Sequence, residues 1–224
     1  MLVVAALVPL AIALVCSYLL SGKPIVKVVY AIAKVVQLGL PLAWVVCIER
    51  RPLRFGRMTS DVLAPAVVSG LAICVATLAL YGVGFRSALL ASEVPDVLRT
   101  KLAGYGIVTL PRFAAFAAYH VIANTLAEEY YWRWFFFARL RRLTASSSAA
   151  TALSSVAFTL HHGFAVWWNG GGGAPLLATL VVVALAGGVW ARLYERTHGI
   201  FAPWISHMLA EVGLLVIAFD VWRT

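Results

Sequence analysis

The chain has 224 residues, of which 62% are hydrophobic and 12% charged, with a formal net charge of +9. A soluble domain is about 45–50% apolar and about 25% charged, so this composition leaves no room for a sizeable soluble part and specifies a single integral membrane domain over residues 1–224. The basic excess falls in short loops, "ERRPLRFGR" (49–57) and "ARLRRL" (138–143); without a basic stripe interleaved with base-stacking aromatics, nucleic acid is excluded as a partner and the lipid bilayer is implied.

A helix crosses the hydrocarbon core with about 20 apolar residues. The opening run "MLVVAALVPLAIALVCSYLL" has no basic n-region. It reads as a first transmembrane helix over 2–21 rather than a cleavable signal peptide. "SGKP" (21–24) ends it. Spans follow at 26–48 and 62–84, with the arginine loop between them. Segment 86–104 is the most polar connection and predicts a short interfacial helix. Further spans are expected at 105–127, 147–168, 174–194 and 200–222. "NGGGGAP" (169–175) lacks the strand and spacing of a nucleotide loop and reads as a flexible turn. Residues 128–143, aromatic on entry and basic on exit, form an eighth stretch that either continues the preceding helix or stands alone at the interface.

The fold class is therefore all-α, a polytopic transmembrane bundle of seven to eight helices. A cytoplasmic N-terminus puts Arg50, Arg51, Arg54, Arg57, Arg139, Arg141, Arg142, Arg192 and Arg196 inside. The smaller set, Lys23, Lys27, Arg86, Arg99, Lys101 and Arg223, then lies outside. In a prokaryote the compartment is the cell membrane. Cys16, Cys47 and Cys74 sit in or at the ends of apolar runs without a CxxC pair and read as packing residues.

Apart from loop charges, the intramembrane ionisable groups are Lys34, Arg112, His120, Glu128, Glu129, Arg133, His161, His162, His207 and Glu211, with Asp220 near the last end. Such groups are functional candidates because an unpaired charge in hydrocarbon is costly. Glu129 and Arg133 are four residues apart and share a helix face, so they can pair. Glu128, about 100° away around the helix, is left as an unpaired carboxylate whose apolar setting raises its basicity. "SSVAFTLHHGF" (154–164) supplies His161 and His162; being adjacent, they point to different faces, and one of them is expected to meet the glutamate. "APWISHMLAEVG" (202–213) places His207 and Glu211 on one face of the last span. An acid and histidines converging in a protected pocket are the pattern for hydrolysis within a membrane. There is no HExxH motif, no serine in a triad context, no aspartate pair in two spans and no thiol near the histidines.

"EEYYWR" (128–133) fits EExxxR, "FTLHH" (158–162) fits FxxxH at Phe158 and His162, and "HMLAE" (207–211) stands where HxxxN or HxxxD belongs. In order and separation these motifs resemble the CAAX prenyl protease and bacteriocin-processing family of intramembrane proteases. The stretch "GGVWARLYERTHGIFAPWISHML" (187–209) also resembles that family's passage into its last motif helix. The resemblance covers roughly 120–215, within a protease core at about 105–222.

The resemblance implies an internal polar cavity and a peptide or lipidated protein substrate. It implies that Glu128 activates a water, that His162 helps to hold it and that His207 stabilises the oxyanion. Glu129, Arg133, Phe158, His161 and Glu211 would support them. No cofactor is required by a glutamate–water route. A divalent metal such as zinc is compatible with it, and Glu128, His162 and His207 are its expected ligands. Glu211 departs from the family's Asn or Asp, since an ionised carboxylate would repel an oxyanion that an amide could bind. That departure carries an alternative, a non-catalytic scaffold or immunity-type protein. A proton-coupled carrier is a third reading, weakened by the lack of two matching halves with broken helices.

Overall fold

Backbone crossing a bilayer must satisfy its own hydrogen bonds, and this chain does so with helices. The computed structural model describes residues 2–15, 23, 25–168 and 172–224, and every regular element among them is helical. There are eight continuous helices among these residues. They are α1 (Leu2–Leu14), α2 (Val26–Ile48), α3 (Ser60–Leu90), α4 (Val94–Gly104), α5 (110–143), α6 (Ser147–Trp168), α7 (Gly173–Thr197) and α8 (Phe201–Arg223). The later part of the expected first span, with Cys16 and most of "SGKP", lies outside the described residues, as does 169–171 of the glycine-rich turn.

Among the described residues, four segments are long and apolar enough by length and composition to cross a membrane: Val26–Ile48, Ser60–Leu90, Leu176–Thr197 and Phe201–Arg223. Seven apolar spans are suggested by the sequence; of the other three, α5 and α6 carry ionisable and hydroxyl side chains that lower their hydropathy, and the described part of the first is a shorter apolar helix. The short helix expected within 86–104 is α4. Its 11 residues span about 16 Å at 1.5 Å per residue, too little to cross a core about 30 Å thick. The span expected from residue 105 starts instead at Leu110, after a turn in which Gly106 takes a positive φ of 74°.

The open question about 128–143 has a clear answer. It continues the preceding helix, and α5 runs unbroken from 110 to 143. It contains two π-helical stretches, His120–Asn124 and Tyr130–Phe137. Every residue from Tyr131 to Phe137 is buried. A run of seven covers all faces of a helix, so this part of α5 is enclosed by protein on every side. Its polar tips reach outward to its neighbours. Tyr131 donates to the Ala5 carbonyl of α1 (2.7 Å), Tyr130 to the Leu38 carbonyl of α2 (2.8 Å), and Trp134 to the Arg54 carbonyl (2.7 Å). From α8, Trp204 donates to the Ile122 carbonyl and to Thr125 Oγ1, both at 3.1 Å.

α3 and α8 pack at close range through small residues. Ser69 and Ser206 share a hydrogen bond of 2.9 Å, and Trp190 of α7 donates to Ser206 Oγ (3.1 Å). The arginine-rich ends of α2, α5 and α7 gather at one end of the bundle. There Glu49 pairs with Arg139 (2.8 Å) and Arg142 (3.4 Å), and Glu195 with Arg141 (2.8 Å). At the opposite end Arg86 pairs with Asp220 (2.8 Å). Of the free cysteines, Cys47 is exposed and Cys74 is half-buried against Gly213.

The α3–α8 contact generates a prediction. A Cβ at Gly70 would lie 2.6 Å from the Ser206 carbonyl oxygen and 2.9 Å from Ser206 Cα, both backbone atoms that cannot yield, whereas one at Gly39 meets nothing within 4 Å. Gly70→Ala is expected to destabilise the protein by about 1–3 kcal/mol, the usual cost of overpacking, and Gly39→Ala to leave it unchanged or slightly stabilised. Thermal melting of both variants in detergent checks this.

Candidate active site

Glu128 and Glu129 lie where α5 passes from an α-helical turn, Thr125–Glu129, into the π-helical stretch. Irregular turns of this kind concentrate at functional sites. Glu129 and Arg133 pair as their spacing predicts, at 3.1 Å, with both side chains at 1% exposure or less. Arg133 is held further by the Gly187 carbonyl (3.3 Å) and lies over the rings of Phe158 (4.4 Å) and Trp190 (5.1 Å). One guanidinium therefore ties α5 to α6 and α7.

The second acceptor position on Glu129 is taken by a residue the sequence did not pair with it. His207 Nδ1 lies 2.8 Å from Glu129 Oε1, and its ring stacks on Trp190 at 3.8 Å and 19°. A carboxylate can only accept, so Nδ1 carries the proton. That bond, with the indole beneath, fixes the imidazole and turns Nε2 toward Glu128, 3.9 Å from its Oε2.

Glu128 is not the unpaired carboxylate that helix geometry suggested. Asn124, one turn earlier on α5, donates to Oε1 at 2.9 Å. Oε2 faces His162 Nε2 at 3.8 Å as well as His207. Lys34, from α2, is within electrostatic reach of Glu128. Asn124 escaped the sequence reading because no motif includes it; its position four residues before Glu128 was the available signal.

His162 is oriented by its own helix. Its Nδ1 lies 3.0 Å from the Phe158 carbonyl. A carbonyl accepts, so Nδ1 is protonated and the neutral ring offers Nε2 as an acceptor toward Glu128. Phe158 thus contributes a backbone oxygen for His162 and an aromatic face for Arg133.

Of the two adjacent histidines, His162 is the one within 4.0 Å of the glutamate, and His161 stands close behind it. Ligand atoms of Glu128, His161 and His162 all lie within 4.8 Å of one another. The Cα positions do diverge around the helix, but the long imidazoles lean together, with ring centroids 4.0 Å apart. His161 stacks on Trp132 at 5.3 Å and 10°. Its buried Nδ1 has no hydrogen-bond partner among the described residues. A buried nitrogen without a partner, beside a carboxylate and a second imidazole, fits a divalent metal. The donors gathered within 4.8 Å of one another are Glu128, His161 and His162; the expected His207 offers Nε2 3.9 Å from Glu128 Oε2, with its Nδ1 held by Glu129.

Glu211 lies beside this cluster, within electrostatic reach of Glu128 and His207. Its carboxylate reaches back to α5, where Oε1 lies 3.8 Å from His120 Nδ1 in the first π-helical stretch. The side chain is longer than Asn or Asp and finds a histidine partner on α5. The remaining candidates are peripheral. Arg112 donates to the Gly106 carbonyl (2.7 Å), and Asp220 accepts from Tyr81 (2.8 Å) besides Arg86.

Glu128 and His162 keep 21% and 29% of their side-chain surface accessible, while Glu129 and Arg133 keep essentially none. The site thus has a sealed charged base and a reachable polar face. The chain is thus an all-helical membrane protein in which a carboxylate and histidines from three helices meet in the interior. More narrowly, residues 110–213 match the Rce1-like family of type II CAAX prenyl endopeptidases. Comparison with curated proteins and with solved structures gives no match.

Removing one partner of a buried ion pair leaves an uncompensated charge and costs about 3–5 kcal/mol. Glu129→Gln is therefore expected to lower stability by that order, because Arg133 loses its carboxylate partner. Glu128→Gln, at the accessible face and bonded to a neutral amide, is expected to fold and melt like the wild type. Melting curves of the two variants in one detergent test the contrast.

Proposed function

We propose that the protein is an intramembrane endopeptidase that hydrolyses a peptide bond near the end of a membrane-associated, lipidated protein by glutamate-activated water. The observation that carries this reading is the bracketing of Glu128 Oε2 by two imidazole nitrogens, His162 Nε2 at 3.8 Å and His207 Nε2 at 3.9 Å. These separations are too long for direct hydrogen bonds and suit a water shared among the three groups.

In this mechanism the water gives one hydrogen bond to Glu128 and the other to the lone pair of His162 Nε2. Glu128 takes the proton as the oxygen attacks the peptide carbonyl, and later passes it to the departing amine. His207 donates from Nδ1 to Glu129 and presents Nε2 to the developing oxyanion. Glu129 lies behind the ring and is itself paired with Arg133 at 3.1 Å. Asn124 holds Glu128 by the oxygen that does not react. A divalent metal on Glu128, His161 and His162 would supply Lewis-acid activation of the water. The arginine-rich end is the cytoplasmic one in this reading, following the usual bias of basic residues.

The experiment is cleavage of farnesylated and unmodified quenched fluorescent peptides by the purified protein. Loss of a general base costs about 10²–10⁴-fold. Glu128→Ala and His162→Ala are expected to lose cleavage by at least that factor while remaining folded. Glu211→Asn is expected to retain it, since the Glu211 carboxylate partners His120 and makes no hydrogen bond to Glu128, His162 or His207. Wild-type turnover in both alanine variants would overturn the mechanism.

A further inference from the structure

A cavity of about 400 Å³ opens at the arginine-rich end of the bundle, separate from the Glu128 cluster. Arg51, Arg54, Arg139 and Arg142 line it, with Glu49 as the one carboxylate and Trp134 on its wall. Glu49 is already engaged by Arg139 (2.8 Å) and Arg142 (3.4 Å). Arg51 and Arg54 are exposed and have no side-chain hydrogen bond or ion pair among the described residues. Four guanidinium groups against one carboxylate leave three positive charges uncompensated around a single concavity.

Basic residues at a membrane border are common, but these sit on a fixed loop. The chain turns at Arg50, which adopts the left-handed conformation (φ 49°) that non-glycine residues rarely take. Arg51 N bonds the Val45 carbonyl (3.1 Å). The Arg54 carbonyl is held by Trp134 (2.7 Å), and the Phe55 carbonyl by the Ile200 amide (2.9 Å). Gly56, at φ 88°, packs so closely on Gly199 that an added Cβ would collide with its backbone. Four loop residues, Arg51, Arg54, Phe55 and Gly56, are therefore pinned to α2, α5 and the α7–α8 corner, and the guanidinium groups are presented around a preformed cavity.

We infer that this cavity binds a phosphate group, and that its source is the headgroup of an anionic phospholipid. Guanidinium forks match phosphate oxygens in charge and geometry. The cavity lies where the apolar spans Val26–Ile48 and Leu176–Thr197 end, the level at which headgroups sit and interfacial aromatics such as Trp134 and Tyr194 are favoured. A bound headgroup would join the loop to α5 next to Arg133, so occupancy stabilises the helix that carries the active-site glutamates.

The test is thermal melting of the full chain in neutral detergent, titrated separately with phosphatidylglycerol, phosphatidylcholine and inorganic phosphate. Phosphatidylglycerol is expected to raise the melting temperature saturably, and phosphatidylcholine to leave it unchanged. Arg51→Gln/Arg54→Gln, at exposed positions without partners, is expected to fold and to need at least tenfold more phosphatidylglycerol for half the shift. Arg99→Gln, at the other end of the bundle, is expected to respond like the wild type. A saturable shift with inorganic phosphate, lost in the double variant, would support the phosphate chemistry and reassign its source to a soluble anion. Equal responses to the two lipids, a double variant that behaves like the wild type, or an equal loss in Arg99→Gln would each overturn the inference.

Discussion

The structure depends on one constraint: the charge on Arg133 has to be satisfied where no water reaches it. A buried guanidinium without a carboxylate would cost several kcal/mol. Glu129 neutralises it at 3.1 Å, and Phe158, Trp190 and the Gly187 carbonyl close the remaining sides. Each of these partners comes from a different helix or a different turn, so meeting the constraint brings α5, α6 and α7 into one arrangement. His207 completes the set from α8 by bonding the same Glu129 oxygen. The buried pair is thus the fixed point from which the accessible groups are positioned. The mechanism proposed here uses Glu128 and two histidine nitrogens whose orientations are inherited from it.

The form of α5 follows from the same demand. Its aromatic run is buried on every side, so the helix has to sit in the middle of the bundle. A central helix has many neighbours to hold, and the tips of Tyr130, Tyr131 and Trp134 do so by donating to carbonyls of α2, α1 and the arginine loop. Widened π-helical stretches at His120–Asn124 and Tyr130–Phe137 flank the turn that carries both glutamates. That turn lies between an accessible face, with Asn124 and Glu128, and an inaccessible one, with Glu129 and Arg133. The same helix ends in the arginines that face the basic cavity, which joins the membrane border mechanically to the interior site.

Much of this was legible in the sequence, because the physics that makes it legible is local or compositional. Hydropathy alone gives the membrane and the helices. Charge in an apolar run marks Glu128, Glu129, Arg133, His162 and His207 as residues needing a reason. The i, i+4 spacing yields the Glu129–Arg133 pair, since both members sit on one helix. Three ordered motifs suffice to point to the protease family that residues 110–213 match.

What only the tertiary structure decided are relations between helices and the reach of side chains. Spacing cannot say that His207 bonds Glu129 from 78 residues away, or that Glu211 finds His120 on α5. Helical angles separate His161 from His162, yet their rings converge, because an imidazole extends far enough from the axis to undo the angle at its root. Glu128 appears unpaired on a helical wheel and proves to be held by Asn124 and faced by two histidines, since a wheel shows one helix and the site is built from three. The sequence determined which groups must be satisfied in the membrane; the packing determined by which partners, because partnership between helices depends on distances that no spacing along the chain encodes.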